Sequence, residues 1–502
     1  MKLRTASYLS IWLICLSLSG WLQGQSYSYW TQNFNEESSL LSGAVVGGGS
    51  GPSAIYYNPA AIAAGGKSMF SFNASLFSLG FYNMKNALGT GTDLKFSRLV
   101  VQPRFISLLL KPKWNRDVSM EVAVFNNATY DLAMDHALDR QMDILPNLPG
   151  EERYYAYYRF WNKYRDDWFG IGGAWRISQN LLLGLSWFGT IKSLRYEQQV
   201  DIEAMPMQDT VFDGPLAIPF YSASYSNSEA VRFNDYRMLF KGGILYTRSN
   251  LSIGFTFKTP SLRVYSDGKK AARKVKQSNI SNDDGDDFRE DYVIVDAQQK
   301  EVVRTNFKEP FSIATGFVLN NHDGSKTGFL TLEYFSGIDP YTIVSAPINP
   351  NITSEQIFNS LPNKEWLSFA HAAKPIINIS VGYRQKIAEN LLLLTGFKTD
   401  LNARKGADYR SYDDYNKLQA IEINLYYVSA GLRLNIRGNE LITGLNYGFG
   451  HEQGRTQLIN LSDPVEYNQE ENKALQGTRQ HNMEVIYNSI SLYFGANLSF
   501  MK

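Results

Sequence analysis

The sequence contains almost no cysteine and no excess of either charge. Its single cysteine, Cys15, excludes a disulfide scaffold and a cysteine-ligated metal centre. The 49 basic residues are balanced by 48 acidic ones, giving a net charge of +1, which argues against a nucleic-acid-binding protein. After Leu22 there is no uninterrupted apolar run of about 18 residues, so the sequence predicts no membrane-spanning helix beyond that point.

The known sequence signatures of catalysis are also lacking. The Gly-rich run before Pro52 has no lysine and so is not a P-loop, and Pro52 breaks the G-x-S-x-G pattern around Ser50. None of the five histidines belongs to an H-E-x-x-H motif. The sequence therefore predicts no enzyme, no cofactor and no metal site.

The first residues have the organisation of a targeting segment. Lys2 and Arg4 precede an apolar run from Tyr8 to Leu22, and Gly24 offers a small residue for cleavage. This pattern predicts a secretory signal peptide over residues 1–24, with a membrane anchor helix as the alternative. Cys15 lies inside the apolar run, so the mature chain is expected to have no cysteine.

Aromatic residues are abundant although the chain is polar on average. Aromatic residues make up 14% of the chain and hydrophobic residues 44%, yet the mean hydropathy is −0.28. From Lys67 onward, apolar and polar residues alternate with a period of two, as they do in β-strands with two different faces. The pattern predicts about 14 strands. They begin near residues 67, 96, 118, 153, 181, 231, 251, 306, 326, 372, 391, 418, 441 and 483.

The connections between these strands alternate between short and long. Short turns are expected near 111–117, 178–180, 247–250, 320–326, 386–390 and 436–440. Long polar loops are expected near 83–95, 131–152, 201–230, 266–305, 336–371, 402–417 and 452–482. Outer-membrane barrels have short periplasmic turns and long outer loops, and an even strand number places both termini in the periplasm.

Charged residues inside the strands fall on the polar register, which a barrel directs toward its lumen. These residues include Arg98, Arg104, Glu121, Lys192, Arg237, Lys241, Lys258, Glu333, Lys374, Arg384, Lys398 and Arg433. A soluble β-sandwich or propeller also alternates, but its strands average about 5–6 residues, whereas these runs reach about 9–12. We therefore predict an all-β fold: a transmembrane antiparallel β-barrel over residues 67–502.

The segment before the first strand carries a family resemblance. Residues 25–66 are rich in Gly, Ser and Ala and contain Asn35, Ser38-Ser39, Gly43 and the run Ala54-Ile55-Tyr56-Tyr57-Asn58-Pro59-Ala60. With this motif, its position and the strand count, the sequence resembles the FadL-type outer-membrane transporters of long-chain fatty acids and other hydrophobic compounds. The resemblance implies an N-terminal hatch, or plug, over 25–66 that includes Asn58, Pro59 and Ala60. Ser50-Gly51 stand where many relatives carry an acidic pair, so an ionic latch from that pair is not expected.

Three groups of residues are candidates for handling a hydrophobic ligand. Apolar residues in a loop that faces water are typical of a capture site, which predicts a role for Met205, Met207, Phe212, Leu216, Ile218 and Phe220. A carboxylate would need a cation in the lumen, and the candidates are Arg98, Arg104, Lys192, Arg237, Lys241, Lys258, Lys374 and Lys398. The resemblance implies a kink in the third strand that opens the wall sideways, and Asn126 and Asn127 are the candidates for this lateral gate. Packing of the loops as a cap, a polar lumen lining and a polar strand end remain the alternatives.

The leading hypothesis is passive uptake of hydrophobic molecules through a Gram-negative outer membrane. The expected partners are a fatty acid or similar ligand and the lipid of the outer membrane, with no nucleic acid, and the protein is expected to be monomeric. A structural or shuttle subunit of a secretion machine, a simple porin and an outer-membrane hydrolase are the alternatives.

Overall fold

The computed structural model describes residues 28–30, 33–65, 68–112, 115, 117–146, 150–207, 210–213, 215–219, 222–280, 293–300, 304–345, 369–404, 423–436, 439–471 and 473–499. The predicted signal peptide, residues 1–24, lies outside them. Within the described residues, no helix is long and apolar enough to cross a bilayer.

The described part of the chain has short helical pieces before residue 65 and then consists almost entirely of strands. Two short α-helices span Glu36–Leu40 and Ala54–Tyr57, and two 3-10 helices span Gly51–Ser53 and Pro59–Ala64. The strands are β1 (Met69–Lys85), β2 (Leu94–Leu110), β3 (Val118–Met142), β4 (Glu152–Arg176), β5 (Leu181–Pro206), β6 (Thr210–Asp213), β7 (Leu216–Pro219), β8 (Ala223–Arg248), β9 (Leu251–Lys258), β10 (Leu262–Ser278), β11 (Val293–Lys300), β12 (Arg304–Thr305), β13 (Ser312–Asn320), β14 (Lys326–Phe335), β15 (Ile338–Ser345), β16 (Phe369–Ala373), β17 (Ile376–Ala388), β18 (Leu391–Asp400), β19 (Leu425–Ile436), β20 (Asn439–Arg455), β21 (Tyr467–Asn468), β22 (Lys473–Ala474) and β23 (Met483–Ser499).

Fourteen of these strands form a closed antiparallel barrel. The ring runs β1-β2-β3-β4-β5-β8-β9-β13-β14-β17-β18-β19-β20-β23 and returns to β1. β10 continues the line of β9 after a short break and pairs with the far half of β8. The predicted barrel and strand number are confirmed, and strands begin at the predicted residues 118, 181, 251, 326, 391 and 483.

The outer surface of the ring is apolar. Large exposed side chains follow one another along the outward register, among them Phe169, Ile171 and Trp175 on β4 and Leu183, Leu185 and Ile191 on β5. A water-soluble protein rarely exposes so continuous an apolar band, whereas a barrel in lipid requires one.

Four strands extend far beyond this band, which corrects the prediction of polar loops at 131–152 and 201–230. β3 and β4 have 25 residues each, and β5 and β8 have 26 each, rather than the predicted 9–12. The polarity of the two faces inverts along these strands: on β4 the inward residues are Gly170 and Gly172 inside the band, but Tyr154 and Tyr158 beyond it. The extension therefore has a polar outer face and a buried inner face, and its sequence resembles a polar loop. We call this side of the barrel the long-strand end and the opposite side the short-turn end.

Residues 33–65, which we call the hatch, lie inside the barrel. Hatch residues such as Phe34, Leu40 and Ile55 share one buried cluster with the inward wall residues Phe125 and Trp168. A second cluster closes the long-strand end, where the segment 456–482 covers the inner face of the extension and Tyr154 donates a hydrogen bond to the carbonyl of Leu475 at 2.9 Å.

Candidate functional site

The Asn58-Pro59-Ala60 motif joins the hatch to the wall. The buried Asn58 amide donates to the carbonyl of Val46 at 2.9 Å and to that of Ile244, on β8, at 3.1 Å, while its oxygen accepts from the Ala60 amide at 3.1 Å. Asn58 thereby caps the 3-10 helix that begins at Pro59. One side chain fixes the fold of the hatch and its position against β8.

Inward glycines let the hatch backbone approach the wall. A Cβ at Gly254 would lie 1.9 Å from the carbonyl oxygen of Val46, and one at Gly184 would lie 2.2 Å from the carbonyl carbon of Pro59. A Cβ at Gly243 would lie 2.2 Å from Asn58 Oδ1. Similar close approaches to the hatch occur at Gly316 and Gly396, so glycine is required at these places for contact between two backbones.

Two carboxylates link the hatch to the wall, one from the hatch itself and one from a wall strand. The hatch residue Glu37 forms ion pairs with Arg384 at 3.0 Å and Arg433 at 2.8 Å, on the wall near the short-turn end. Glu121 on β3 accepts a hydrogen bond from the Ile55 amide at 3.1 Å. The hatch therefore has an ionic latch at Glu37, although the acidic pair of the resembling family is missing.

Four of the eight predicted carboxylate-binding cations already have acidic partners in the protein. Lys192 pairs with Asp166 at 2.8 Å and with Glu309 at 2.5 Å, and Lys258 lies 3.5 Å from Glu309. All four of these side chains are buried, so their charges stabilise one another where water cannot. Arg237 pairs with Asp235 at 3.3 Å, and Arg98 pairs with Asp131 at 3.7 Å.

Lys241 differs from these cations. Its ammonium lies 4.7 Å from the ring centroid of Tyr56, on the hatch, and no carboxylate of the described residues is within ion-pair distance of it. It is buried, and it lines a cavity of about 10 Å³ together with Trp30, Asn33, Tyr57 and Glu333. A neighbouring cavity of about 30 Å³ is lined by Tyr29, Tyr56, Asn127, Lys192 and Lys258, so Tyr56 borders both. Lys241 thus lies between hatch and wall with no carboxylate of the described residues at ion-pair distance.

The structure places the remaining sequence-predicted residues elsewhere or does not describe them. Lys398 is buried and donates to the carbonyl of Trp30 and, at 3.1 Å, to Asn33 Oδ1, so it anchors the segment before the hatch. Lys374 is exposed in the connection between β16 and β17. Met205 is the last residue but one of β5, and Met207 is exposed just beyond the strand. The side chains of Arg104, Phe212, Leu216 and Ile218, and all of Phe220, lie outside what the structure describes.

The wall is interrupted between β2 and β3. In the described residues their ladder runs from the Leu110–Met120 pair to the Phe105–Phe125 pair, although both strands continue well beyond it. The register of β3 against β4 shifts between Asn126 and Ala128, which leaves Asn127 as a bulge. We call this interruption the lateral window; the Arg98–Asp131 ion pair crosses it farther along the two strands.

Side chains at the bulge connect the window to the lumen. Asn126 donates to Asp167 and Asn127 donates to Asp166, both at 2.9 Å. Asp166 is the partner of Lys192, and Asn127 lines the larger cavity. The two asparagines could be identified from the sequence, whereas the buried acidic partner Asp166 could not.

A closed barrel with an apolar outer band, a packed hatch and an interruption between β2 and β3 has the architecture of a plugged transmembrane β-barrel. No sequence-family profile matches the chain, and no curated protein sequence matches it. Solved structures do match the chain. A FadL homologue of Pseudomonas aeruginosa matches with a TM-score of 0.56 and 10% identity, over 94% of this chain and 100% of that one. The P. putida toluene transporter TodX matches with a TM-score of 0.57 and 12% identity, over 94% and 99% of the two chains. The Ralstonia pickettii toluene transporter TbuX matches with a TM-score of 0.51 and 11% identity, over 93% of this chain and 99% of that one. The chain therefore has the fold of the FadL-type channels, as the resemblance of its sequence implied.

Proposed function

We propose that this protein carries hydrophobic molecules, such as long-chain fatty acids, across the outer membrane of a Gram-negative bacterium. The observation that carries the proposal is the lateral window, which opens the wall beside a lumen that the hatch fills. Two toluene transporters with the same fold support a hydrophobic cargo. The packed hatch does not support a simple porin, because a porin keeps an aqueous channel.

In this proposal the short-turn end, with both chain termini, faces the periplasm. A ligand enters at the long-strand end, where Met205, Met207 and the apolar residues 211–220 contribute to capture. It then moves down the lumen and leaves sideways through the lateral window at Asn126 and Asn127. Displacement of the hatch at Asn58-Pro59-Ala60 frees space for it, since the present cavities hold about one water molecule each.

Lys241 is the residue we propose for an anionic headgroup. Its charge is buried and lacks a carboxylate partner among the described residues, whereas Lys192, Arg237 and Lys258 each have one. A carboxylate that enters the cavity would therefore gain an ion pair without breaking one. We expect Lys241→Met to reduce the uptake of labelled oleate and to leave the uptake of a neutral hydrocarbon unchanged. Equal loss of both, with the barrel folded, would contradict this role.

The window is tested by closing it reversibly. The mature chain is expected to lack cysteine, so an Arg98→Cys/Asp131→Cys variant can be joined by a short, cleavable bifunctional maleimide across the interruption. Labelled oleate and toluene uptake should fall on cross-linking and recover on cleavage. The matched control is Lys85→Cys/Glu484→Cys, which replaces an ion pair of 3.0 Å between the paired strands β1 and β23 and should have no effect. Uptake that persists with the window cross-linked would exclude lateral exit.

A further inference from the structure

A row of basic residues crosses neighbouring strands on the outer face of the long-strand extension. Lys163 on β4 lies directly opposite Arg195 on β5, and Arg195 lies directly opposite Arg232 on β8. These three side chains are 54%, 37% and 48% exposed. On β10, Lys270 holds the next position of the same row, opposite Arg232. Basic residues thus occupy one register row on four adjacent strands.

The row is only partly neutralised by the protein. Glu197 accepts from Arg195 and from Arg232, each at 2.9 Å. Asp131 lies 3.9 Å from Lys163 but is shared with Arg98. Like charges directly opposite each other destabilise a sheet, so the excess positive charge of the row favours the binding of an external anion.

The height of the row indicates which anion this is. On β5 the last large apolar side chain of the outward register is Ile191, and Arg195 follows four residues later. Four residues advance about 13 Å along a strand and about 10 Å along the membrane normal at a tilt of about 40°. The row therefore lies at the level of the lipid headgroups, just beyond the hydrocarbon.

The row also has the chemistry of a phosphate site. Arginine guanidinium groups bind phosphate oxygens in pairs, and the row offers two of them side by side. The Arg195 guanidinium lies 3.9 Å from the ring centroid of Trp161, which restricts its orientation. Its Nε donates to Glu197, and its two terminal nitrogens donate to no acceptor among the described residues.

We propose that Lys163, Arg195 and Arg232 bind the phosphate groups of a lipid headgroup in the leaflet at the long-strand end. The lipid rests against the outside of β4, β5 and β8, and its phosphates complete the neutralisation that Glu197 begins. This site lies outside the lumen and does not require a ligand there, so it goes beyond the proposed uptake.

The test measures lipid binding to the folded, full-length protein in detergent, with bisphosphorylated lipid A as the probe. The variant Lys163→Gln/Arg195→Gln/Arg232→Gln should bind it about 30- to 150-fold more weakly, from about 1 kcal/mol for each of two to three basic residues near an anionic surface. The control is Arg153→Gln/Arg159→Gln, on the same face of β4 but farther from the apolar band, which should bind as the wild type does. Dephosphorylated lipid A should bind the wild type as weakly as lipid A binds the variant.

A second variant decides the matter if the first fails to give the heat-modifiable band of a folded barrel. Glu197→Gln removes the internal competitor for Arg195 and Arg232 and should tighten lipid A binding several-fold. Unchanged binding by either variant, equal binding of the dephosphorylated lipid, or inorganic phosphate that displaces lipid A at equal concentration would each overturn the proposal. Oleate uptake by the same variants reports separately on transport.

Discussion

The contact between the hatch and the wall can be tested at two adjacent glycines of β8. A Cβ at Gly243 would point inward and lie 2.2 Å from Asn58 Oδ1 and 2.9 Å from Pro59 Cδ. A Cβ at Gly242 would point outward and meet nothing within 4 Å. Gly243→Ala and Gly242→Ala therefore add the same methyl group to the same strand, but only the first obstructs the hatch.

The size of the effect follows from the contacts that the hatch loses when the methyl group is added at Gly243. Ordinary contact begins near 3.4 Å, so Asn58 must retreat by more than 1 Å from the new methyl group at Gly243. Overpacking of this kind costs about 1–3 kcal/mol, and the hydrogen bond from Asn58 to the Ile244 carbonyl adds about 1 kcal/mol. A loss of about 2–4 kcal/mol would raise the population of undocked hatch about 30- to 700-fold.

Single-channel recording in planar bilayers measures this population, because an undocked hatch leaves the lumen open to small ions. We expect longer and more frequent conducting events for Gly243→Ala, and wild-type behaviour for Gly242→Ala. Both variants should keep the heat-modifiable band, since neither changes the wall ladder. Equal conductance of the two variants, or loss of the heat-modifiable band in Gly243→Ala, would refute this account of the hatch.

Three further predictions concern charges. Glu37→Gln should weaken the ionic latch and increase proteolysis of the hatch from the short-turn end. Glu440→Gln alters a different carboxylate that lies 3.4 Å from Arg433 and leaves both ion pairs of Glu37 in place, so it should not. Lys192→Met should lower the free energy of unfolding by about 3–5 kcal/mol, because Asp166 and Glu309 would remain buried without their shared cation. If that is the cause, the triple variant Lys192→Met/Asp166→Asn/Glu309→Gln should recover the wild-type midpoint of unfolding. Burial lowers the pKa of His371, on β16, to about 3, so the folded state resists protonation there. The stability that neutral His371 contributes is complete above its unfolded pKa of about 6.5 and is lost as the pH falls, by about 2 kcal/mol at pH 5. Hydrogen exchange of β15 and β16 should therefore accelerate as the pH falls. The variant His371→Phe should abolish this pH dependence.

The barrel could be predicted from sequence because its pattern is local. Alternation with a period of two marks each strand, and short turns such as 178–180 mark its end at the short-turn side. The extension beyond the apolar band could not be predicted in this way. There Arg153 and Arg159 on the outer face alternate with Tyr154 and Tyr158 on the inner face. If every strand residue on the outer face is assumed to contact lipid, this inverted polarity is interpreted as a loop.

The lumen site shows the same limit. The inward position of Lys192, Arg237 and Lys241 follows from the register, and Asp166 lies directly opposite Lys192 in the β4–β5 ladder. Glu309, by contrast, meets Lys192 only because the segment after β12 folds into the lumen. Which cation is left without a carboxylate partner is therefore a property of the tertiary structure.

The inversion of polarity along the long strands also sets the immersion depth of the protein. On β5 the outward apolar register extends from Leu181 to Ile191, which corresponds to about 33 Å of strand and about 25 Å of membrane thickness at a tilt of about 40°. Beyond Ile191 the same register carries Arg195, so sinking deeper would bring charge into hydrocarbon. The molecule therefore matches a bilayer with a thin hydrocarbon core. A thicker bilayer must become thinner around the protein, or its hydrocarbon would cover the charged residues at the level of Arg195.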